Sequence, residues 1–183
     1  MKTVDLSRFD NSGWKPGNKL KIAAWYFINV LFFINPLNPS SGLKVWLLRL
    51  FGTKIGKNVV IKPAVNIKFP WLLEIGNNVW IGEKVWIDNL ASVVIGNNCC
   101  VSQGALLLCG NHNYKTTTFD LIVGAITLED GVWIGAQSIV CQGIVCKSHA
   151  LLTVNSVATT DLEGYTIYQG NPAKEIRQRL IEK

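Results

Sequence analysis

The chain has 183 residues, 49% of them apolar and only 16% charged, which suits one domain with a sizeable core and excludes a disordered chain. Its 18 Lys and Arg against 12 Asp and Glu leave a net charge of +6. No run of consecutive Lys or Arg and no basic stripe interleaved with aromatics occurs. The excess reads as an ordinary basic surface in preference to the competing reading, attraction to anions such as phosphates or a membrane surface, and nucleic acid is not expected as a partner.

Residues 1–16 read as an irregular arm. Its first ten residues are polar and unlike a secretory signal, so a cytoplasmic location is expected, with peripheral contact at the inner face of the membrane as an additional expectation. From Asn18 to about Asn35 the pattern suits a helix that stops before Pro36. Within it, Ile22 to Ile34 is apolar apart from Asn29. That stretch is far shorter than the roughly 20 residues needed to span a bilayer. Residues 37–42 form a loop, and Ser41 is placed to cap a second helix ending near Phe51.

After Gly52 the character changes. Ile55-Gly56-Lys57-Asn58, Ile75-Gly76-Asn77-Asn78 and Ile95-Gly96-Asn97-Asn98 recur at intervals of 20. Within each unit aliphatics fall six apart: Ile55, Ile61, Ile67; Ile75, Ile81, Ile87; Ile95, Val101, Leu107. The phase resumes with Leu128, Ile134, Val140, Cys146 and Leu152. Six is neither the 3.6 of an amphipathic helix nor the 2 of a simple strand. It is the signature of a β-helix in which each hexapeptide supplies one short strand and one turn. Three faces close a coil, and the two residues beyond 18 make a bulged corner. Every sixth side chain points inward and stacks on the next coil, while Gly and Asn at corners tolerate positive φ. An ordinary sandwich of short strands is the competing reading, and the number of aliphatics in a six-residue phase argues against it. The open end of such a stack needs cover, so capping is preferred to membrane contact for Ile22–Ile34.

Between Leu107 and Leu128 the phase is lost, so the chain must leave the solenoid as an external loop at about 109–125, and insertions of this kind often carry function. His112, one of two histidines, lies in it. Imidazole can take a proton near neutral pH, so His112 reads either as a general base or as a loop histidine held by a backbone carbonyl. Cys99, Cys100, Cys109, Cys141 and Cys146 show no CxxC spacing and read as reduced core fillers, with a nucleophilic Cys109 the weaker reading. At the end, Asn171 and Pro172 suggest a cap and first position for a short helix over 171–183, with Glu175 and Arg179 paired across one turn. The organisation expected is one structural domain: an arm and capping helices over 1–52, a β-helix over 53–170, and the terminal helix.

The hexapeptide array, Gly110-Asn111-His112, the segment from Ile126 to Gly135, and Gly170-Asn171-Pro172-Ala173-Lys174 together resemble the hexapeptide O-acetyltransferases. Asn38 to Lys44, Val79 to Glu83, Trp86 to Leu90 and Phe119 to Ile122 resemble the branch like the colanic acid biosynthesis acetyltransferases. The resemblance covers nearly the whole chain. It implies a left-handed parallel β-helix and an acetyl-CoA-dependent homotrimer without a metal, its active site between two adjacent coils. The implied acceptor is a saccharide hydroxyl in exopolysaccharide assembly, with His112 as general base. Asp88 would orient His112 or hold a sugar hydroxyl, with Asn111 beside the base. Asn89 and Trp133 would contact substrate. Trp133, Ala136, Val154, Thr159 and Thr160 would line the CoA arm, with Lys174 and Arg177 meeting its phosphates. Thr159-Thr160-Asp161 stands where the family usually has Thr-Lys-Asp, so one expected cation is missing. The alternatives are a catalytically inactive binding or scaffold protein and a carbonic anhydrase-like zinc enzyme. The zinc site of the latter needs three histidines, and this chain has two.

Overall fold

The computed structural model describes residues 2–182. After an arm that contains a single 3-10 turn (Leu6–Arg8), helix α1 spans Lys19–Ile28 and winds on as a π-helical segment over Asn29–Ile34. Asn18 caps it, its side-chain oxygen accepting from the amides of Leu20 and Lys21. Helix α2 spans Ser41–Leu50. Its cap is Ser40 rather than Ser41, because the Ser40 hydroxyl accepts from the Leu43 amide. The Ser41 hydroxyl is used instead to join the helix to the solenoid, donating to the Val59 carbonyl and accepting from the Ile61 amide.

Seventeen short strands follow the six-residue phase or the interruption in it, and two longer ones close the far end. The first coil holds β1 (Lys54–Ile55), β2 (Val60–Ile61) and β3 (Asn66–Ile67), and the second holds β4 (Leu73–Ile75), β5 (Trp80–Ile81) and β6 (Trp86–Asp88). The third holds β7 (Val93–Ile95), β8 (Cys100–Val101) and β9 (Leu106–Leu108). A hairpin of β10 (Gly110–His112) and β11 (Leu121–Val123) then projects from the stack. The fourth coil contains β12 (Ile126–Leu128), β13 (Trp133–Ile134) and β14 (Ile139–Val140). The fifth contains β15 (Val145–Cys146), β16 (Leu151–Leu152) and β17 (Val157–Ala158), and the chain ends in β18 (Thr166–Gly170) and β19 (Ala173–Gln178).

Strands stack into three parallel faces. The first is β1-β4-β7-β12-β15, the second β2-β5-β8-β13-β16-β18-β19, and the third β3-β6-β9-β14-β17, with only β18 and β19 antiparallel within them. The columns Ile61–Ile81–Val101–Ile134–Leu152 and Ile67–Ile87–Leu107–Val140–Ala158 are buried, as the periodicity requires. At the edge between the first and second faces, Asn58, Asn78 and Asn98 share a φ of 56°, and the side-chain amides of Asn58 and Asn78 each donate to the asparagine one coil on. The early coils repeat every 20 residues and the fourth to fifth every 18. The two extra residues all lie at the edge between the third and first faces, in Lys68–Leu72 and Asp88–Ser92. The hairpin leaves from that same edge.

The helices close the first coil. The Trp25 indole donates to the Ile67 carbonyl at 2.7 Å, and Asn29 donates to Asn66 at 2.7 Å. Trp25 and Phe33 are buried, each burial worth about 2–3 kcal/mol. Lys44 is also buried, and its ammonium donates to the carbonyls of Asn38 and Lys62, both at 2.9 Å. Burial holds its pKa below the usual lysine range.

The terminal helix expected over 171–183 is not formed. Asn171 and Pro172 turn the chain back, and 173–178 pairs antiparallel with β18, Gly170 opposite Ala173. The reason is the open edge of the last coil. A helix would have satisfied its own backbone but left the β18 edge unpaired. Arg179 does not pair with Glu175 along a helix; its guanidinium donates to the carbonyls of Gly131 and His149.

Candidate active site

The hairpin fixes His112 from both sides. β10 and β11 pair with His112 opposite Leu121, and the tip is pinned by the Asn113 amide donating to the Asp120 carbonyl. Phe119, at a φ of 53°, brings its carbonyl to 2.9 Å from His112 Nδ1. A carbonyl oxygen only accepts, so Nδ1 carries the proton in this bond, and the neutral ring keeps its lone pair at Nε2. The ring is held flat against the Phe119 ring, with centroids 4.4 Å apart and planes 5° apart, and Phe9 of the arm packs at 5.6 Å. The arm follows the same edge of the solenoid, with the Trp14 indole donating to the Leu90 carbonyl and the Asp5 amide to the Thr117 carbonyl. Phe9 was not anticipated, because a lone aromatic in an irregular arm carries no periodic signal.

The other expected catalytic residues take different places. Asp88 is buried beneath the start of the hairpin and pairs with Lys68 at 2.8 Å. It makes no hydrogen bond to His112, whose Nδ1 is taken by Phe119, so orienting the base falls to a backbone carbonyl and not to Asp88. Asn111 uses its side-chain oxygen on the His112 amide, at 2.8 Å. Asn89, expected to contact substrate, is fully buried. Its amide accepts from Phe69 N at 2.9 Å and donates to Phe69 O at 2.6 Å. It ties the bulged corners of two coils together and presents nothing to solvent. Cys109 is likewise buried, and burial pushes its thiol up to about 11, far from a thiolate nucleophile at neutral pH.

On the second face lies a groove of about 510 Å³ whose lining includes Trp133, Ala136, Val154 and Arg177. Strand register explains the set. Trp133 pairs with Cys100 below and Leu151 above, so Gln103, Ala136 and Val154 form one column at the edge between the second and third faces. Gln103 and Ser102 were missed, although that register would have found them one coil below Ala136 and Gly135. The Trp133 indole donates to the Ser102 hydroxyl at 2.9 Å, which holds its ring along the groove. A Cβ at Gly135 would stand 2.6 Å from the Leu152 carbonyl, so only glycine allows the coils to meet there. Arg177 reaches the groove from β19. Lys174, Thr159 and Thr160 are exposed but are not among the groove's lining.

The expected residues therefore separate into two groups. His112, Asn111, Asp88, Thr159 and Thr160 belong to the edge between the third and first faces, where the hairpin and the β17 corner lie. Trp133, Ala136, Val154 and Arg177 belong to the second face and its edge with the third. The width of the third face, six residues or about 20 Å, lies between the two edges. No gap between adjacent coils of one chain unites the base with the groove.

No family model matches the chain. It is 32% identical over 177 residues to WcaF of Escherichia coli (strain K12), provisionally named a colanic acid biosynthesis acetyltransferase, covering 96% of this chain and 97% of that one. Among solved structures, a hexapeptide-repeat containing acetyltransferase from Vibrio cholerae superposes with a TM-score of 0.80 at 21% identity, over 89% of this chain and 93% of that one. A galactoside acetyltransferase in complex with coenzyme A gives a TM-score of 0.76 at 20% identity, over 88% and 82%.

Proposed function

The chain belongs to the hexapeptide-repeat acetyltransferase family, and from that premise we propose that it moves an acetyl group from acetyl-CoA to a saccharide hydroxyl in exopolysaccharide assembly, with His112 as general base. The observation that carries the reading is the Nδ1 bond of His112 to the Phe119 carbonyl, which leaves Nε2 as the proton acceptor. The likeness to a protein named for colanic acid biosynthesis and to a galactoside acetyltransferase supports this acceptor class.

In this reading Nε2 removes the proton of the acceptor hydroxyl as its oxygen attacks the thioester carbonyl. The resulting imidazolium, its other N–H still held by Phe119, returns that proton to the departing sulfur. His112 thus ends neutral, and the products are an acetyl ester and a free thiol. Holding both reactants against one surface removes much of the entropic barrier. The groove under Trp133 supports the reading as a channel for the pantetheine arm, with Arg177 as a cation for a phosphate.

We further propose that the site is shared between copies. A base and a groove about 20 Å apart on different edges of one prism cannot act together, yet they meet when the hairpin edge of one copy faces the groove edge of the next. A contact between two different patches is head-to-tail, and such contacts close into a ring where the rotation between copies divides a full turn. A homotrimer is the ring that a three-sided prism favours.

The test is thiol release from acetyl-CoA across a panel of saccharide acceptors. His112→Ala is expected to lower kcat by about 10²- to 10⁴-fold with little change in KM for acetyl-CoA. Full turnover by that variant would remove His112 from the mechanism. Ligand binding without turnover on any acceptor would favour a binding protein.

A further inference from the structure

We propose that the helical cap is a docking surface for anionic membrane lipid. The surface is apolar where a soluble helix is normally polar. The inward stripe of α1 and its π-helical continuation, Trp25, Asn29 and Phe33, is spent on the first coil. Its outward side carries Tyr26, Phe27 and Leu31, with Phe27 65% and Leu31 57% exposed, and Leu37 beyond it is 86% exposed. A helix that is hydrophobic all round is ordinarily buried on all sides, and this one is covered on one. Trp46 and Leu50 of α2 add further exposed apolar side chains to the same cap.

Charge selects the occupant. No Asp or Glu occurs between Asp10 and Glu74, while nine of the 18 Lys and Arg do. The rest of the chain holds nine basic and 12 acidic residues, so the cap and first coil carry more than the whole net charge of +6. Lys44 is buried, and Lys54 and Lys68 are paired with Glu74 and Asp88. Lys15, Lys19, Lys57 and Lys62 are exposed and form no ion pair among the described residues. Aromatic and aliphatic side chains fringed by lysines are the composition of a helix lying in a membrane interface, where the rings enter the headgroup region and lysine stems reach back to phosphates. A protein partner would need hydrogen-bonding complementarity, and the outward side of α1 and its π-helical continuation, from Leu20 to Ile34, offers almost none. Among the described residues no helix is long and apolar enough to cross a membrane, and the contact proposed is a peripheral one. If the acetyl-transfer reading holds, the hairpin, leaving the third coil about 10 Å above the first, could serve an acceptor carried on that surface.

The experiment is flotation of the full chain with vesicles of phosphatidylcholine alone or mixed with phosphatidylglycerol. Binding is expected to the mixed vesicles at low salt, at least tenfold weaker to phosphatidylcholine, and reduced at high salt. Lys15→Glu with Lys19→Glu should weaken it roughly fivefold per cation removed. Phe27→Ser with Leu31→Ser should weaken it at least tenfold while the unfolding midpoint is kept. The lysine pair keeps the test valid should the apolar pair fail to fold. Absence of flotation at low salt, or flotation unchanged by both pairs, would overturn the proposal. So would a solution mass showing copies joined through α1 and separated by the Phe27 and Leu31 changes. The assay reads lipid binding, so its failure leaves the proposed reaction untouched.

Discussion

Asn89→Ala distinguishes a structural amide from a substrate contact. The wild-type side chain accepts from Phe69 N at 2.9 Å and donates to Phe69 O at 2.6 Å, and both residues are buried. Alanine leaves one donor and one acceptor without partners, at about 1–3 kcal/mol each, so the loss should be about 2–6 kcal/mol. That is a large share of the 5–15 kcal/mol typical of a domain. Urea unfolding followed by tryptophan fluorescence measures it, and folded protein recovered at low temperature should keep an unaltered acceptor KM. A stability loss under about 0.5 kcal/mol together with a raised acceptor KM would refute the reasoning and return Asn89 to the substrate site.

Three further outcomes follow from the same geometry. Arg177→Ala, at the groove, should raise KM for acetyl-CoA about tenfold and leave kcat nearly unchanged, because a cation far from the reacting atoms contributes uniform binding. Asp130 accepts from the backbone amide and side chain of Asn97, which holds its carboxyl below the ordinary 3.8. The unfolded chain then binds more protons between the two pKa values, so the contribution is fully present above about pH 3.8 and is lost as pH falls through the folded value. Asp130→Asn, extending the Asn77–Asn97 ladder, should flatten that part of the acid limb of thermal stability. Burial pushes Cys109 up to about 11 and Cys146 up to about 12, so neither should react with iodoacetamide at pH 8 until the chain unfolds; labelling read by mass spectrometry checks this.

The solenoid was legible because one constraint repeats: each sixth residue must fill the core, so Ile61, Ile81, Val101 and Ile134 announce their own stacking. The hairpin was legible as an interruption of that phase. The end of the chain was not, since Asn171-Pro172 suits a turn as well as a helix start. What decides between them is the unpaired edge of β18, a tertiary fact. Asn89 misled for a related reason. A polar residue in a corner looks solvent-facing until the neighbouring coil supplies the Phe69 backbone it satisfies. The register also separates His112 from Trp133 and Ala136 by a whole face, which residue types and local motifs do not reveal.

The claim that base and groove come from different copies is tested most directly by mixing two inactive variants. His112→Ala lacks the base, and Ala136→Trp fills the groove. Co-refolded in equal amounts, three-membered rings of the two should regain about a quarter of wild-type sites, since each mixed ring contains one junction where an intact hairpin meets an intact groove. Recovery near that level is the result predicted. A mixture as inactive as its components, with mixed rings confirmed by native mass spectrometry, would contradict the shared site.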